Sequence, residues 1–217
     1  MVAPEAHHAR SRTRRGRNRA LEEDGLAASK KNALTRGWLV FVDETGFCES
    51  GVVRHTWAPR GKTPVLRIKK NSWTRRSVIG ALAYRADGSR SKLLLQFKKG
   101  AVLAPDFVRF LEHLARHLRG NVVVIWDRLH GHRSLLVRSW SDAKSRFEFV
   151  HLPAYAPELN PVEALWSWLK GTCLANCSHE DLDPLTDAMR RGADRARHRK
   201  ALLQAFLRKA GLYLDRV

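Results

Sequence analysis

Two short apolar runs, each ending directly on an aspartate, constrain the fold of this chain more than any other feature. The runs are Trp38–Val42, followed by Asp43, and Val122–Trp126, followed by Asp127. Five consecutive apolar residues are too few for an independent helix and are typical of strands buried on both faces of a parallel sheet. Such strands end at the edge where α/β proteins bind ligands. The pattern predicts an α/β fold with both carboxylates at that edge, where their repulsion favours a shared hard divalent cation.

A third carboxylate, Glu163, follows Asp127 after 35 intervening residues and opens a predicted helix. Asn160 is a good N-cap and Pro161 suits the first helical position, so the helix should run to about Cys173. Its apolar stripe faces the core and places Glu163 on the adjoining face. Glu163 could instead complete a capping box with Asn160, and the helix signals alone leave both interpretations open.

The segments around the three acids resemble those of a known family. They are Asp43-Glu-Thr-Gly-Phe47, Trp126-Asp127 with His132-Arg-Ser134, and Leu152-Pro-x-Tyr-x-Pro-Glu-Leu-Asn-Pro-Val-Glu163-x-x-Trp166-x-x-Leu-Lys170. Together they resemble the DDE transposases of the mariner superfamily, in its bacterial insertion-sequence branch, over roughly residues 20–175. The resemblance implies an RNase H-like mixed sheet flanked by helices, in which Asp43, Asp127 and Glu163 hold two Mg²⁺ or Mn²⁺ ions. His132 matches a family histidine that lies close to the active site.

The same resemblance implies a metal-dependent DNA endonuclease and polynucleotidyl transferase. Such an enzyme cleaves a DNA strand at the end of a mobile element and joins the freed 3′-hydroxyl to target DNA. Two alternatives stay open, namely a non-catalytic DNA-binding remnant of a transposase and an RNase H-like nuclease that does not transpose. The expected partners are DNA and a second copy of the chain in a homodimer.

Two departures from the family pattern bear on activity. Family members have a pair of helix-turn-helix modules, which the 37 residues before Trp38 cannot contain. We therefore expect the catalytic domain alone, with DNA recognition supplied by a separate helix-turn-helix protein or an upstream reading frame. The second departure is Arg128, where members usually have asparagine. Its guanidinium would compete with Mg²⁺ if it faced Asp127, which is the interpretation that we favour from the sequence, or would hold a phosphate if it faced DNA.

The charge of the chain agrees with a nucleic-acid partner. Forty lysine and arginine residues against 21 acidic residues give a formal net charge of +19, which attracts polyanions. The candidate DNA contacts are Arg60, Lys62, Lys69, Lys70 and Lys170. No apolar stretch approaches the length that crosses a bilayer, and we expect a cytoplasmic protein associated with the bacterial nucleoid.

The remaining pattern predicts the domain organisation. Residues 1–19 form a basic leader that cannot fold alone, 20–175 form the catalytic domain and 176–217 form a helical extension. Further strands are predicted at Val52–Trp57, Val65–Ile68, Ser77–Tyr84, Leu93–Phe97 and Phe147–Val150. Helices are predicted at Leu21–Thr35, from Pro105, and within Asp183–Ala210. A zinc site at Cys173, Cys177 and His179 is a weaker alternative, because the spacing lacks a second paired half.

Overall fold

A five-stranded mixed sheet forms the centre of the chain. The computed structural model describes residues 37–48, 52–65, 75–177 and 182–214. The strands are β1 (Trp38–Phe47), β2 (Arg76–Arg85), β3 (Ser91–Lys99), β4 (Val122–Trp126) and β5 (Phe147–His151), in the spatial order β3-β2-β1-β4-β5. The first three strands pair antiparallel, whereas β1 pairs parallel with β4 and β4 with β5. The two aspartate strands are therefore parallel neighbours, as predicted.

Helices cover both faces of this sheet. They are α1 (Ala104–His117), α2 (Leu135–Asp142), α3 (Pro161–Cys173), α4 (Leu182–Arg197) and α5 (Lys200–Lys209). The core on one face is built with α1 and α2, and the core on the other face with α3, α4 and α5. Alternation along β1 divides its side chains between the two cores, with Leu39 and Phe41 on the α3 face and Val40 and Val42 on the α1 face.

The C-terminal helices pack directly on the sheet. Met189 of α4 and Phe206 of α5 are buried in the same core as Leu165 of α3. The hydroxyl of Tyr84 on β2 donates a buried hydrogen bond of 2.7 Å to the carbonyl oxygen of Leu203. These contacts confirm the predicted C-terminal helices and show that they complete one face of the core. Among the described helices, none is long and apolar enough to cross a membrane.

Three elements differ from the sequence predictions. Strand β1 does not end at Val42 but continues to Phe47, because β2 supplies backbone partners along its whole length. The predicted strand Val52–Trp57 is wrong. Only Val52 forms a bridge, to Ala175, and Trp57 is 99% exposed, since no described strand lies beside this segment. Helix α2 was not predicted, because Val137 is its only buried residue.

Several predicted features lie outside the described residues. They are the basic leader 1–19, the helix Leu21–Thr35, most of the strand Val65–Ile68, and the two lysines Lys69 and Lys70. Val65 itself is described, is exposed and belongs to no strand.

Candidate active site

Asp43 lies in the middle of β1, beneath helix α3. Its backbone faces Gly80 in the β1–β2 register, and the indole N–H of Trp166 donates a hydrogen bond of 2.8 Å to its Oδ2. A Cβ on Gly80 would lie 2.5 Å from Cη2 of Trp166, so the glycine allows the indole to approach the sheet. Asp43 is thus fixed by strand pairing and by a hydrogen bond from the helix that bears Glu163.

The carboxyl of Asp43 is hard to ionise in the isolated chain. Burial raises its pKa, and the negative charges of Glu163 and Glu44 raise it further, to about 7, against the opposing hydrogen bond from Trp166. A nearby cation would reverse this shift, because an opposite charge favours the ionised form.

Asp127 is the first residue after β4 and its side chain is half exposed. Its Oδ1 accepts a hydrogen bond from the backbone N–H of Leu129 at 2.9 Å and forms an ion pair with Nδ1 of His132 at 2.8 Å, while its backbone carbonyl oxygen lies 3.3 Å from the same nitrogen. The hydrogen bond from His132 lowers the pKa of Asp127, burial opposes this effect, and the Leu129 N–H adds to the lowering. Asp127 is therefore an ionised carboxylate at neutral pH, held at the end of its strand.

Glu163 lies in the first turn of α3 with its side chain exposed. The Oδ1 of Asn160 accepts from the backbone N–H of Val162 at 3.1 Å, which confirms Asn160 as the N-cap. The backbone N–H of Asn160 donates to Pro157 instead of to Glu163, so the alternative of a capping box is wrong. The Glu163 carboxylate is left available to a ligand.

Asn160 also links α3 to the strand that bears Asp43. Parallel pairing between β1 and β4 ends at Phe41 and Ile125, so the sheet opens just before the two aspartates. At this opening the buried side-chain amide of Asn160 donates a hydrogen bond of 3.3 Å to the carbonyl oxygen of Val42. One side chain therefore begins the helix and positions it against the strand.

The three acids line one cleft at this edge of the sheet. Asp43, Asp127 and Glu163 all border a space of about 480 Å³, together with the loop between β5 and α3. Within the described residues, no three His, Cys, Asp or Glu side chains lie close enough together to hold an ion as they stand. His179, the third residue of the zinc alternative with Cys173 and Cys177, lies outside the described residues. The acids share a cleft, and a bound metal would require them to move closer together.

The donor set of this cleft fits a hard divalent cation. All three groups offer carboxylate oxygens, which Mg²⁺ and Mn²⁺ prefer. Burial is the main cause of the raised pKa of Asp43, and the negative charges of Glu163 and Glu44 add to it; a cation would offset both effects.

We expect Mn²⁺ affinity to rise with pH and to level off above about pH 7. Asp43 holds its proton up to a pKa of about 7, so below that value the metal must displace it, at a cost of about tenfold in affinity per pH unit. Calorimetric titration of Mn²⁺ across this range measures the effect. Glu112→Gln, an exposed acid on α1, is the matched control. Affinity that does not change with pH would show that Asp43 is not a ligand.

His132 is completely buried beside the cleft and lies between two carboxylates. Its ring stacks on Trp126 at a centroid distance of 4.2 Å and meets the edge of Phe107 at 4.4 Å. Nε2 lies 3.5 Å from Oε2 of Glu44, while Nδ1 contacts Asp127. Burial lowers the pKa of His132, but the hydrogen bonds and charges of Asp127 and Glu44 outweigh it and raise the pKa to about 9. A buried imidazolium therefore orients Asp127.

Glu44 is the partner that sequence analysis did not identify. Because side chains alternate along β1, Glu44 points away from Asp43 and lies on the α1 face with His132. The sequence contains no signal that a residue after β4 would fold back to meet it.

The basic residues that the sequence suggests as substrate contacts differ in their position relative to the acid cleft. Lys170 donates a hydrogen bond of 2.6 Å to Oγ1 of Thr45, two positions after Asp43. Arg60 and Lys62 are exposed in the irregular segment and do not border the acid cleft.

Arg128 is exposed at the rim of the cleft, and in the described part of the chain Asp127 forms its ion pair with His132 and not with Arg128. This geometry argues against competition between Arg128 and a metal and favours a substrate contact.

Comparisons with known proteins agree with this geometry. A family model described as DDE superfamily endonuclease matches residues 38–186, which include all three acids. The fold is similar to the crystal structure of the Mos1 strand transfer complex, with a TM-score of 0.63 and 18% identity over 89% of this chain and 57% of that chain. No curated protein matches the sequence.

Two further Mos1 structures give the same result. The mariner paired-end complex with Mn matches with a TM-score of 0.61 and 18% identity over 89% of this chain and 58% of that chain. The paired-end complex with Mg matches with a TM-score of 0.56 and 14% identity over 89% of this chain and 60% of that chain. This chain thus spans less than two thirds of the length of the Mos1 chains. At these identities the likeness establishes the fold, and it confirms the RNase H-like prediction.

Proposed function

The chain belongs to the DDE superfamily of endonucleases, and from this premise we propose that it is the catalytic domain of a transposase that cleaves DNA and transfers the cut strand. The observation that supports this function is that Asp43, Asp127 and Glu163 line one cleft at the opening between β1 and β4. In this proposal residues 20–175 form the catalytic domain, flanked by a basic leader and by the C-terminal helices that pack on it.

The three acids would hold two Mg²⁺ or Mn²⁺ ions. When bound, the ions supply a water or hydroxyl nucleophile of lowered pKa and neutralise charge on the phosphate oxygens. Asp127 is already ionised and oriented by His132, and Asp43 is fixed by Trp166. Glu163 enters the cleft from the first turn of α3, where helix packing sets its direction. That Mos1 complexes were solved with Mn and with Mg supports this choice of ion.

DNA is the proposed partner, and paired-end synapsis by a homodimer is the proposed assembly. The Mos1 structures include paired-end and strand transfer complexes. Terminal-repeat recognition would come from a separate helix-turn-helix protein or an upstream frame, and the complex would act at the nucleoid.

The test is nicking of supercoiled plasmid by the full chain in Mg²⁺ and Mn²⁺, followed by joining of a pre-cut oligonucleotide duplex to target DNA. Nicking with joining is the expected result. Nicking without joining would identify an RNase H-like nuclease that does not transpose. DNA binding without either reaction would identify a non-catalytic remnant.

We expect the chain to bind DNA with little sequence preference and with an affinity that falls steeply as salt is added. Its formal charge of +19 favours phosphate contacts, and these are independent of sequence and release counterions. Fluorescence anisotropy with several unrelated duplexes, from about 0.05 to about 0.2 M salt, measures both properties. A strong preference for one duplex in competition with scrambled DNA would show that the chain contains a recognition element.

A further inference from the structure

A second pocket lies beside the acid cleft, on the other side of Arg128. It is a space of about 380 Å³ between the ends of β4 and β5 and helix α2, and Arg128 borders both spaces. Three guanidinium groups line it, those of Arg128, Arg133 and Arg138, against the one carboxylate of Asp142. The pocket is therefore strongly cationic, next to a strongly anionic cleft.

The positive charge in this pocket is not neutralised internally. Other arginines of the described chain form ion pairs, such as Arg76 with Asp183 and Arg190 with Asp187. Within the same described residues, none of the three pocket arginines has an ion pair. Burial lowers the pKa of His151 at the pocket wall, and the charges of Arg128, His132 and Arg133 lower it further. The field of the pocket thus acts on neighbouring groups and favours an anion.

A buried hydrogen-bond donor in the wall also lacks an acceptor. Trp126 is 1% exposed, and its indole Nε1 has no hydrogen-bond partner among the described residues. A buried donor without an acceptor is destabilising, because it has lost its hydrogen bonds to water. Trp126 lines the pocket but its Nε1 is covered in this structure, so an oxygen-bearing ligand would accept this hydrogen bond only if the wall moved slightly.

We propose that this pocket binds a backbone phosphate of the DNA strand that enters the acid cleft. The inference rests on the proposed function and adds to it a site that positions the substrate. A phosphate supplies both the negative charge and the acceptor oxygens, and arginine is well suited to bind it. A stacked base is a poorer occupant, because the face of Trp126 is already covered by His132.

The position of the pocket indicates its role. Arg128 directly follows Asp127 in sequence and separates the pocket from the cleft. A phosphate bound here would fix the register of the strand relative to the acids. Holding a neighbouring phosphate lowers the entropic barrier to attack on the scissile one.

The experiment combines a protein variant with DNA in which single phosphates are made neutral. A series of duplexes, each with one methylphosphonate, is titrated in a metal-free buffer against wild type, Arg138→Gln and Arg133→Gln. Arg191→Gln is the matched control. Arg191 is exposed on α4 and lines neither the pocket nor the acid cleft, and its replacement removes the same charge. Because all these arginines are exposed, thermal melting should show that the variants fold.

One methylphosphonate position should weaken wild-type binding about tenfold, as the loss of a charge-assisted hydrogen bond would. The same position should have little further effect in Arg138→Gln or Arg133→Gln, and its full effect in Arg191→Gln. The pocket variants should also lower the slope of log affinity against log salt by about one.

Three results would overturn the inference, and they are distinguishable. If wild type binds and cleaves DNA but the methylphosphonate effects are the same in all variants, the pocket does not hold a DNA phosphate and the proposed function stands. If inorganic phosphate protects the pocket in titrations while no methylphosphonate position depends on it, the pocket binds free anions only. If wild type binds no DNA, the proposed function fails together with the inference.

Discussion

Replacing Glu163 by glutamine should abolish metal-dependent strand cleavage while the chain stays folded and still binds DNA. The side chain is exposed, and its role as a cap is excluded because Asn160 caps the helix without it. Loss of one carboxylate from a two-metal site removes a ligand and one negative charge, and we expect at least about 10³-fold slower nicking. Plasmid nicking over a Mn²⁺ series measures the effect.

The motif itself supplies a matched control for this variant. Glu158 is an exposed glutamate five residues earlier that does not border the acid cleft, so Glu158→Gln should cleave at the wild-type rate. Asp43→Asn and Asp127→Asn should lose cleavage as Glu163→Gln does. Cleavage and Mn²⁺ binding that survive in Glu163→Gln would remove this residue from the proposed metal-binding set.

Replacing His132 by phenylalanine should destabilise the chain by about 2 to 4 kcal/mol, because it removes a buried cation from between two carboxylates. Phenylalanine can keep the stacking on Trp126 but removes the 3.5 Å ion-pair contact with Oε2 of Glu44 and the ion pair with Asp127. Urea unfolding in the presence of a chelator measures the loss. His198→Phe, at an exposed position between α4 and α5, should change stability little.

The pH dependence identifies the cause of this effect. The folded pKa of His132 is about 9, above the ordinary value of 6.5, so its stabilising contribution is complete below about pH 6.5 and is lost as pH rises through 9. The folded pKa of Asp43 is about 7, above its ordinary value of 3.8, so Asp43 causes a separate fall in the free energy of unfolding between these two pH values. Between about pH 7 and about pH 9, wild type should therefore lose about 2 to 3 kcal/mol, and His132 is the cause of this loss. If His132→Phe loses stability over that interval as wild type does, the imidazolium is not the cause.

The parts of the site that follow from local sequence were predictable. Buried valine-rich runs place Asp43 and Asp127 on neighbouring strands, and a cap followed by proline places Glu163 at a helix start. These signals lie within a few residues of each acid. Chain length and net charge predicted only that the partner is a nucleic acid.

The parts that depend on distant residues were not predictable. The pairing of His132 with Glu44 requires the loop after β4 to return across the end of β1, and no local pattern specifies that path. The Val52–Trp57 segment contains strand-favouring residues, but apart from the bridge at Val52 no described strand pairs with it, because β-propensity describes fit to a sheet surface and does not supply a partner strand. The polar end of β1 is the opposite case. Its composition predicts that the strand ends at Val42, but pairing with β2 continues it to Phe47.

The hydrogen bond from Asn160 to Val42 has a consequence for biosynthesis. It joins residues that are 118 positions apart in the sequence, and the neighbouring acids Asp43 and Glu163 have a similar separation along the chain. Contacts of such large sequence separation form late, and they cannot form on the ribosome before the distal segment has emerged. A nascent chain that ends before α3 would therefore have both aspartates but not the third acid of the proposed metal-binding set. Under the proposed function, a frameshift or premature stop upstream of α3 would yield an inactive protein, so incomplete translation would not generate a partly active product in the cell.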